Sequence, residues 1–333
     1  MASALGESTF ARLAIVLMAI SLAAPRAVEA QKAGQAVPTV GILSPQSPEN
    51  NSGYSAFFDR LRQLGYRDGE TMRILLRSAD GKLDRLPALA AELVAAKPDV
   101  ILAINTPGAH AAIQATKQIP IVMVSVGDPV GSGFVANLAR PGGNVTGISN
   151  MVAELAPKRL AILKEAIPAA TRIAVLFNPE DPVTKPQVRD AERIAPALKV
   201  EFRFFPVKAA AALPETFKQM LVWRADAALW LLGQQQAFQK GSIELAATHR
   251  LPLMVGVHQN VEAGGLISYI SDTNEVYGRA AAIVDRILKG ARPGDLPVEQ
   301  PTKFELSVNL RTAKSLGLTI PPSVLIQADR IIK

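Results

Sequence analysis

From residue 37 onward, short apolar runs alternate with longer stretches whose apolar positions recur every three or four residues. "VPTVGILSP", "TMRILLRS", "VILAINT" and "IPIVMVSV" read as four strands. Between them "NSGYSAFFDRLRQLGY", "LDRLPALAAELVAAKPD" and "PGAHAAIQATKQ" carry the helical period. In the first of these helices Tyr54, Phe57, Phe58, Leu61 and Leu64 form one stripe, with Asn51 or Ser52 as N-cap and Gly65 as the stop. The third and fourth strands are apolar without alternation. Such strands are buried on both faces, as in a parallel sheet covered by helices.

The rhythm then restarts. "NVTGIS" reads as a linking strand, "AELAPKRLAILKEAIP" as a helix and "RIAVLFNP" as another continuously apolar strand. The next helix opens on Thr184 and Gln187 at capping-box spacing, with Pro186 in its first turn. "EFRFFPV", "AALWLLG", "PLMVGV" and "GGLISYIS" continue the strands, and "NEVYGRAAAIVDRILKG" is a strongly amphipathic helix. A Pro-rich passage, "ARPGDLPVEQP", leads to a last strand, "KFELSVN", and a terminal helix. Two successive βα series predict an α/β protein of two doubly wound parallel-sheet lobes joined by a hinge. The late Pro/Gly passage predicts three crossings between them. Residues 37–148 with about 270–296 then form lobe 1, and 149–269 with about 297–333 form lobe 2.

Residues 1–30 have a different pattern. Arg12 precedes about a dozen apolar residues, and Val28 and Ala30 supply small residues, the layout of a secretory signal cleaved after Ala30. The apolar run is shorter than the ~20 residues a spanning helix needs. Composition narrows the chemistry further. The absence of cysteine removes thiolate catalysis, Cys-ligated zinc and iron–sulfur clusters. The net charge of +7 comes from singly scattered Lys and Arg with no basic arm or aromatic-interleaved patch, so no nucleic-acid partner is expected.

One motif raises an enzymatic alternative. "GSGFVA", with Gly131, Gly133 and Ala136, matches a dinucleotide fingerprint, and Glu154 lies about twenty residues on. Against this, it follows the fourth strand rather than the first, Asp128 and Pro129 separate strand from glycines, and Pro141-Gly142-Gly143 soon breaks the segment that should form the phosphate-binding helix. His110, His249 and His258 are not spaced as metal ligands, and no triad or carboxylate pair is marked. No catalytic residue, metal or cofactor is expected.

Ligands of open parallel sheets settle outside the carboxyl ends of the strands. Those ends carry short polar groups here: Ser44 and Gln46; Thr106 and Pro107 at a helix N-terminus; Asp128, with Ser132 beyond it; and Thr146. In the second series they are Asn178, Gln234, His258, Asn260 and, on the returning strand, Tyr269. Each has an ordinary alternative role: Thr106 and Asn178 as caps, Asp128-Pro129 as a turn, Tyr269 as core. Recurrence at nearly every strand end favours a binding cleft for a carboxylate-bearing solute.

Several stretches together resemble a known family. They are "VGILSP", "INTPGAHAAIQATKQIPIVMVSVGDPVGSGFVANLARPGGNVTGISN", "LAPKRLAILKEAIP", "IAVLFNPEDP", "GRAAAIVDRILKGARPGDLPVEQPTKFELSVNL" and "AKSLGLTIPPSVLIQAD". The chain is similar to ABC-transporter substrate-binding proteins related to the tryptophan/tyrosine-type receptors, with the class I periplasmic-binding-protein fold. The resemblance implies a monomeric, non-catalytic periplasmic receptor that closes on a small ligand and presents it to an ABC permease. It places the glycine-bearing loop beside the cleft, with Thr106, Asp128, Ser132 and Thr146 serving the first lobe and Asn178 the second. Members often carry Asp or Asn where this chain has Gln234, which weakens the expectation of an α-amino acid, because an ammonium prefers a carboxylate. Two rival classes stay open on the sequence: an NAD(P)-dependent oxidoreductase, and a periplasmic sensor for a signalling partner, whose docking surface would leave no motif.

Overall fold

The computed structural model describes residues 37–333 except 153, 182, 234 and 235. The expected signal segment and Gln234 therefore lie outside the described residues.

The first βα series forms a five-stranded, wholly parallel sheet. Its strands are β1 (Thr39–Ser44), β2 (Arg73–Ser78), β3 (Val100–Ile104), β4 (Ile121–Val126) and β5 (Val145–Ser149), in the order β2-β1-β3-β4-β5. The side-chain alternation of β1 explains the layers. Val40 and Ile42 face a core shared with α1 (Gly53–Gln63), while Leu43 faces one shared with α2 (Leu86–Ala95) and α3 (Asn105–Ala115). The unalternating β3 is buried along its whole length, as two-faced cover demands.

The second series forms a seven-stranded sheet. Its parallel part comprises β6 (Arg172–Phe177), β7 (Glu201–Pro206), β8 (Ala227–Trp230), β9 (Leu253–Val255) and β10 (Ile267–Ser271). Helices α4 (Ala156–Ala166) and α5 (Thr184–Leu198) cover one face; α6 (Leu213–Val222), α7 (Gln236–Thr248) and α8 (His258–Glu262) cover the other. Both lobes thus have three layers.

The long amphipathic helix α9 (Thr273–Leu288) follows β10 directly yet packs on the first lobe. Its Val276, Tyr277, Ala280 and Val284 join the core of α1 and β3. A Cβ on Gly53 would fall 2.3 Å from the Tyr277 ring, so closely do α1 and α9 approach. The chain then returns to add β11 (Phe304–Asn309), α10 (Leu310–Leu316), α11 (Pro322–Gln327) and β12 (Arg330–Ile332) to the second lobe. Three segments therefore cross between lobes: β5 to α4, β10 to α9, and α9 to β11. The last crossing also explains why β11 is antiparallel to β10. One strand ends at the crossing and the other begins there.

Local chemistry departs from the sequence reading at α5. Thr184 and Gln187 make no capping box. Thr184 Oγ1 donates to the carbonyls of Asn178 and Asp181. Gln187 is fully buried, donating to Leu232 O and accepting from Leu232 N, so it stitches α5 to the loop after β8.

The third crossing is tied to α9 through Glu275. Its carboxylate accepts from Thr302 Oγ1 at 2.6 Å, Thr302 N at 3.1 Å and Lys303 N at 2.8 Å, and it pairs with Arg279 at 3.3 Å. Arg279 also binds Glu299 at 2.6 Å. Burial works to raise the Glu275 carboxyl, but these donors outweigh it and hold it below the ordinary glutamate range. A depressed carboxyl adds stability above its unfolded value and loses it as pH falls through the folded one. Glu275→Gln should therefore lower unfolding stability by about 1–2 kcal/mol at pH 7. The gap to wild type should narrow as pH falls below the ordinary glutamate value of about 4.3, where the unfolded chain takes up the proton before the native carboxyl does. Urea unfolding of both proteins at pH 7 and pH 3.5 checks this, and a gap constant with pH would refute it.

Candidate ligand-binding cleft

In each lobe the strand order reverses direction beside the first strand of the series, between β1 and β3 and between β6 and β8. Such switch points leave a crevice at the carboxyl ends of the strands. There the two lobes come together. A Cβ placed on Gly127, just after β4, would fall 2.6 Å from Val183 Cγ2 and 2.8 Å from Val152 Cγ2. Val152 and Val183 are buried with Leu155 and Leu232 in an apolar seam, against which Ile270 and Phe304 pack.

Beside this seam lies a cavity of about 160 Å³ with walls from both lobes. The first lobe contributes Ser52 and the start of α9, Thr273 and Asn274. The second contributes His258, Ile270, Ser271, Glu305 and Arg330. Asp272 sits at the crossing, its carboxylate capping α9 through Asn274 N and Glu275 N. Glu305 receives Arg330 Nε at 2.8 Å, and His258 Nδ1 stands 3.7 Å from the same oxygen. The wall thus offers the Arg330 guanidinium, the His258 imidazole, the Glu305 carboxylate and that of Asp272, the last engaged in capping α9, beside several hydroxyl and amide groups.

A second concavity, a groove of about 720 Å³, belongs to the first lobe alone. Thr106, Pro107, Ser132 and Phe134 line it with the facing sides of α2 and α3. The structure thus brings three of the expected residues to this groove and His258 to the interlobe cavity.

The other expected residues among those described line neither concavity. Thr146 is fully buried and donates to Leu296 O at 2.7 Å, pinning the third crossing to β5, so it faces no cleft. Ser44 is also fully buried, its hydroxyl exchanging hydrogen bonds with Gln46 O and N in a tight turn. The Gln46 carbonyl also accepts from Ser78 Oγ. Asp128 accepts from Gly131 N at 2.7 Å and Asn178 Oδ1 from Glu180 N at 3.0 Å, both shaping turns. The Tyr269 ring stacks on Phe304, with centroids 5.7 Å apart, and packs into the second lobe's core. Asn260 carries a buried Nδ2 with no hydrogen-bond partner among the described residues.

The "GSGFVA" loop is resolved by the same geometry. Residues 127–144 form turns and no helix, with Gly133 at φ 70°, so no helix N-terminus follows the glycines to hold a pyrophosphate. Among the described residues no group of three or more His, Asp or Glu is placed to hold a metal ion. No helix among them is long and apolar enough to cross a membrane.

Sequence reading missed Ser52, Asn274, Glu305 and Arg330 as cavity residues. Glu305 left a weak signal, a charge inside the apolar strand "KFELSVN". Arg330 left none.

The family model described as ABC transporter substrate binding protein matches residues 41–332. The chain belongs to this family. Among its relatives is a tyrosine-binding protein of Clostridioides difficile (strain R20291), 28% identical over 275 residues, 82% of this chain and 79% of the relative. The structure of an ABC domain in complex with L-Trp from Streptococcus pneumonia is similar over 88% of this chain and all of that one, at 27% identity and a TM-score of 0.79. A ligand-free, open substrate-binding protein with adhesive properties from Clostridium difficile aligns over 89% of this chain and all of that one, at 25% identity but a TM-score of 0.69.

Proposed function

We propose that the protein is an exported receptor of an ABC importer that binds an aromatic amino acid between its lobes and hands it unchanged to a membrane permease. The observation carrying this reading is the interlobe cavity ending on Glu305 and Arg330, whose opposite charges match the ammonium and carboxylate of a zwitterion. Glu305 supplies the acidic partner that Gln234 does not. Relatives that bind L-Trp and tyrosine support the same ligand class. The leader at residues 1–30 would deliver the chain to the periplasm, where it acts as a monomer. Ligand stabilises the closed state by binding it more tightly than the open one.

The test is calorimetry and thermal shift on ligand-stripped, refolded protein with L-Trp, L-Tyr, dicarboxylates and sugars. An aromatic amino acid at about 100 times its Kd should add about 2.7 kcal/mol of stability. Glu305→Gln should weaken that ligand by about tenfold or more, the loss expected of one charged hydrogen bond. The reading fails if sugars alone bind, or if Glu305→Gln binds like wild type.

A further inference from the structure

Arg159 lies one turn into α4 and is fully buried. Its Nη1 donates to Trp230 O at 2.6 Å and its Nη2 to Val255 O at 2.8 Å. These are the last carbonyls of β8 and β9, at the cleft end of the second sheet. No carboxylate among the described residues pairs with it, and its Nε has no hydrogen-bond partner. Gln239 of α7 is also buried, both its amide atoms without a hydrogen-bond partner among the described residues, and its chain neighbour Phe238 stacks on Trp230.

A buried, unpaired cation is a costly feature, because removal from water disfavours the charged form. Burial does pull the Arg159 guanidinium down to about 9, which still leaves it charged at neutral pH. A tie between two strand ends alone needs only a neutral donor. The charge calls for another explanation, and the ends of β8 and β9 supply it, because solutes of open parallel sheets settle outside such carboxyl ends. At Arg330 the charge is balanced by Glu305; at Arg159 no carboxylate among the described residues balances it.

We propose that Arg159 is a specificity residue of the second lobe: its uncompensated charge, set beneath the ends of β8 and β9, favours a solute carrying a carboxylate. It acts through space and through the carbonyls it holds, without touching the ligand. This rests on the amino-acid reading above for the identity of the probe, but the charge effect can be read independently of it.

The chain has no cysteine, so Val257→Cys, two residues beyond Val255, gives a single thiol reporter of the local potential. Its pKa, from alkylation rate against pH, should lie below the ordinary value of about 8.5. It should rise by about half a unit or more in Arg159→Gln, which keeps a donor but loses the charge, and hold in Arg159→Lys, which keeps the charge. In parallel, the ratio of affinities for L-tyrosine and L-tyrosinamide at pH 6.5 should fall by about tenfold in Arg159→Gln and hold in Arg159→Lys. If Gln and Lys variants behave alike in both measurements, Arg159 only ties strands and the proposal falls. If wild type binds neither probe, the amino-acid reading falls, and the thiol pKa alone decides the role of Arg159. Should Arg159→Gln not fold, a reporter pKa at or above about 8.5 beside the native arginine overturns the proposal, as does one equal to that of Ser52→Cys, a thiol at the N-cap of α1 in the first lobe; a value below both supports it.

Discussion

Gly127→Val should weaken solute binding by about tenfold to a hundredfold while leaving ligand-free stability close to wild type. Even a single Cβ at this position would stand 2.6 Å from Val183 and 2.8 Å from Val152. Both neighbours are β-branched and stiff at χ1, so they cannot simply swing aside. Overpacking of this kind costs about 1–3 kcal/mol where the surroundings are fixed. Here they are fixed only when the lobes meet, because opening the cleft relieves the clash. The cost therefore falls on the closed state and subtracts from the affinity, each 1.4 kcal/mol being about tenfold. Small-angle scattering should show that wild type compacts with ligand and Gly127→Val does not. Wild-type affinity with normal compaction in the variant would mean that Gly127 and Val183 do not govern closure.

Gly147→Ala should have a larger effect of a different kind, about 3 kcal/mol or more lost from folding itself. Gly147 has φ 142°, and a Cβ there would fall 1.9 Å from the backbone oxygen of Met123 on the neighbouring β4. β5 is the edge strand, and its hydrogen-bonded register on β4 sets Gly147 directly opposite Met123. The Gly147 carbonyl also accepts from Glu299 N at 2.9 Å, so β5 is held from the side of the third crossing as well. Gly65→Ala is the control: φ is 94° there, but nothing lies within 4 Å, so only the backbone term of about 1 kcal/mol applies. Chemical denaturation of the two variants separates close approach from dihedral preference. Equal losses would show that the contact with Met123 carries no weight.

How far the fold was legible depends on the range of the forces involved. The unalternating runs of β3, β4 and β6 are local consequences of two-faced burial, and they were readable. So was α9, whose apolar stripe fits one core whichever lobe it joins. The antiparallel β11 was not, because its direction follows from where the third crossing ends, a property of the path rather than of "KFELSVN". The candidate site was less legible than the fold. Polar residues at strand tips also cap, turn and pin, and Thr146, Ser44, Asp128 and Asn178 all do so. The cavity instead gathers residues from five separated stretches, from Ser52 to Arg330. Spacing along the chain cannot show that convergence. Gln187 makes the same point on a smaller scale: its spacing from Thr184 suits a helix cap, but a long-range partner, the Leu232 backbone, takes it.

The triple connection between the lobes has a mechanical consequence. A single strap would allow twisting as well as bending, whereas three straps side by side leave mainly one angle free. A molecule with one angular coordinate converts occupancy into the spacing of its two outer rims. A docking protein could then gauge loading from that span alone, without touching the cargo.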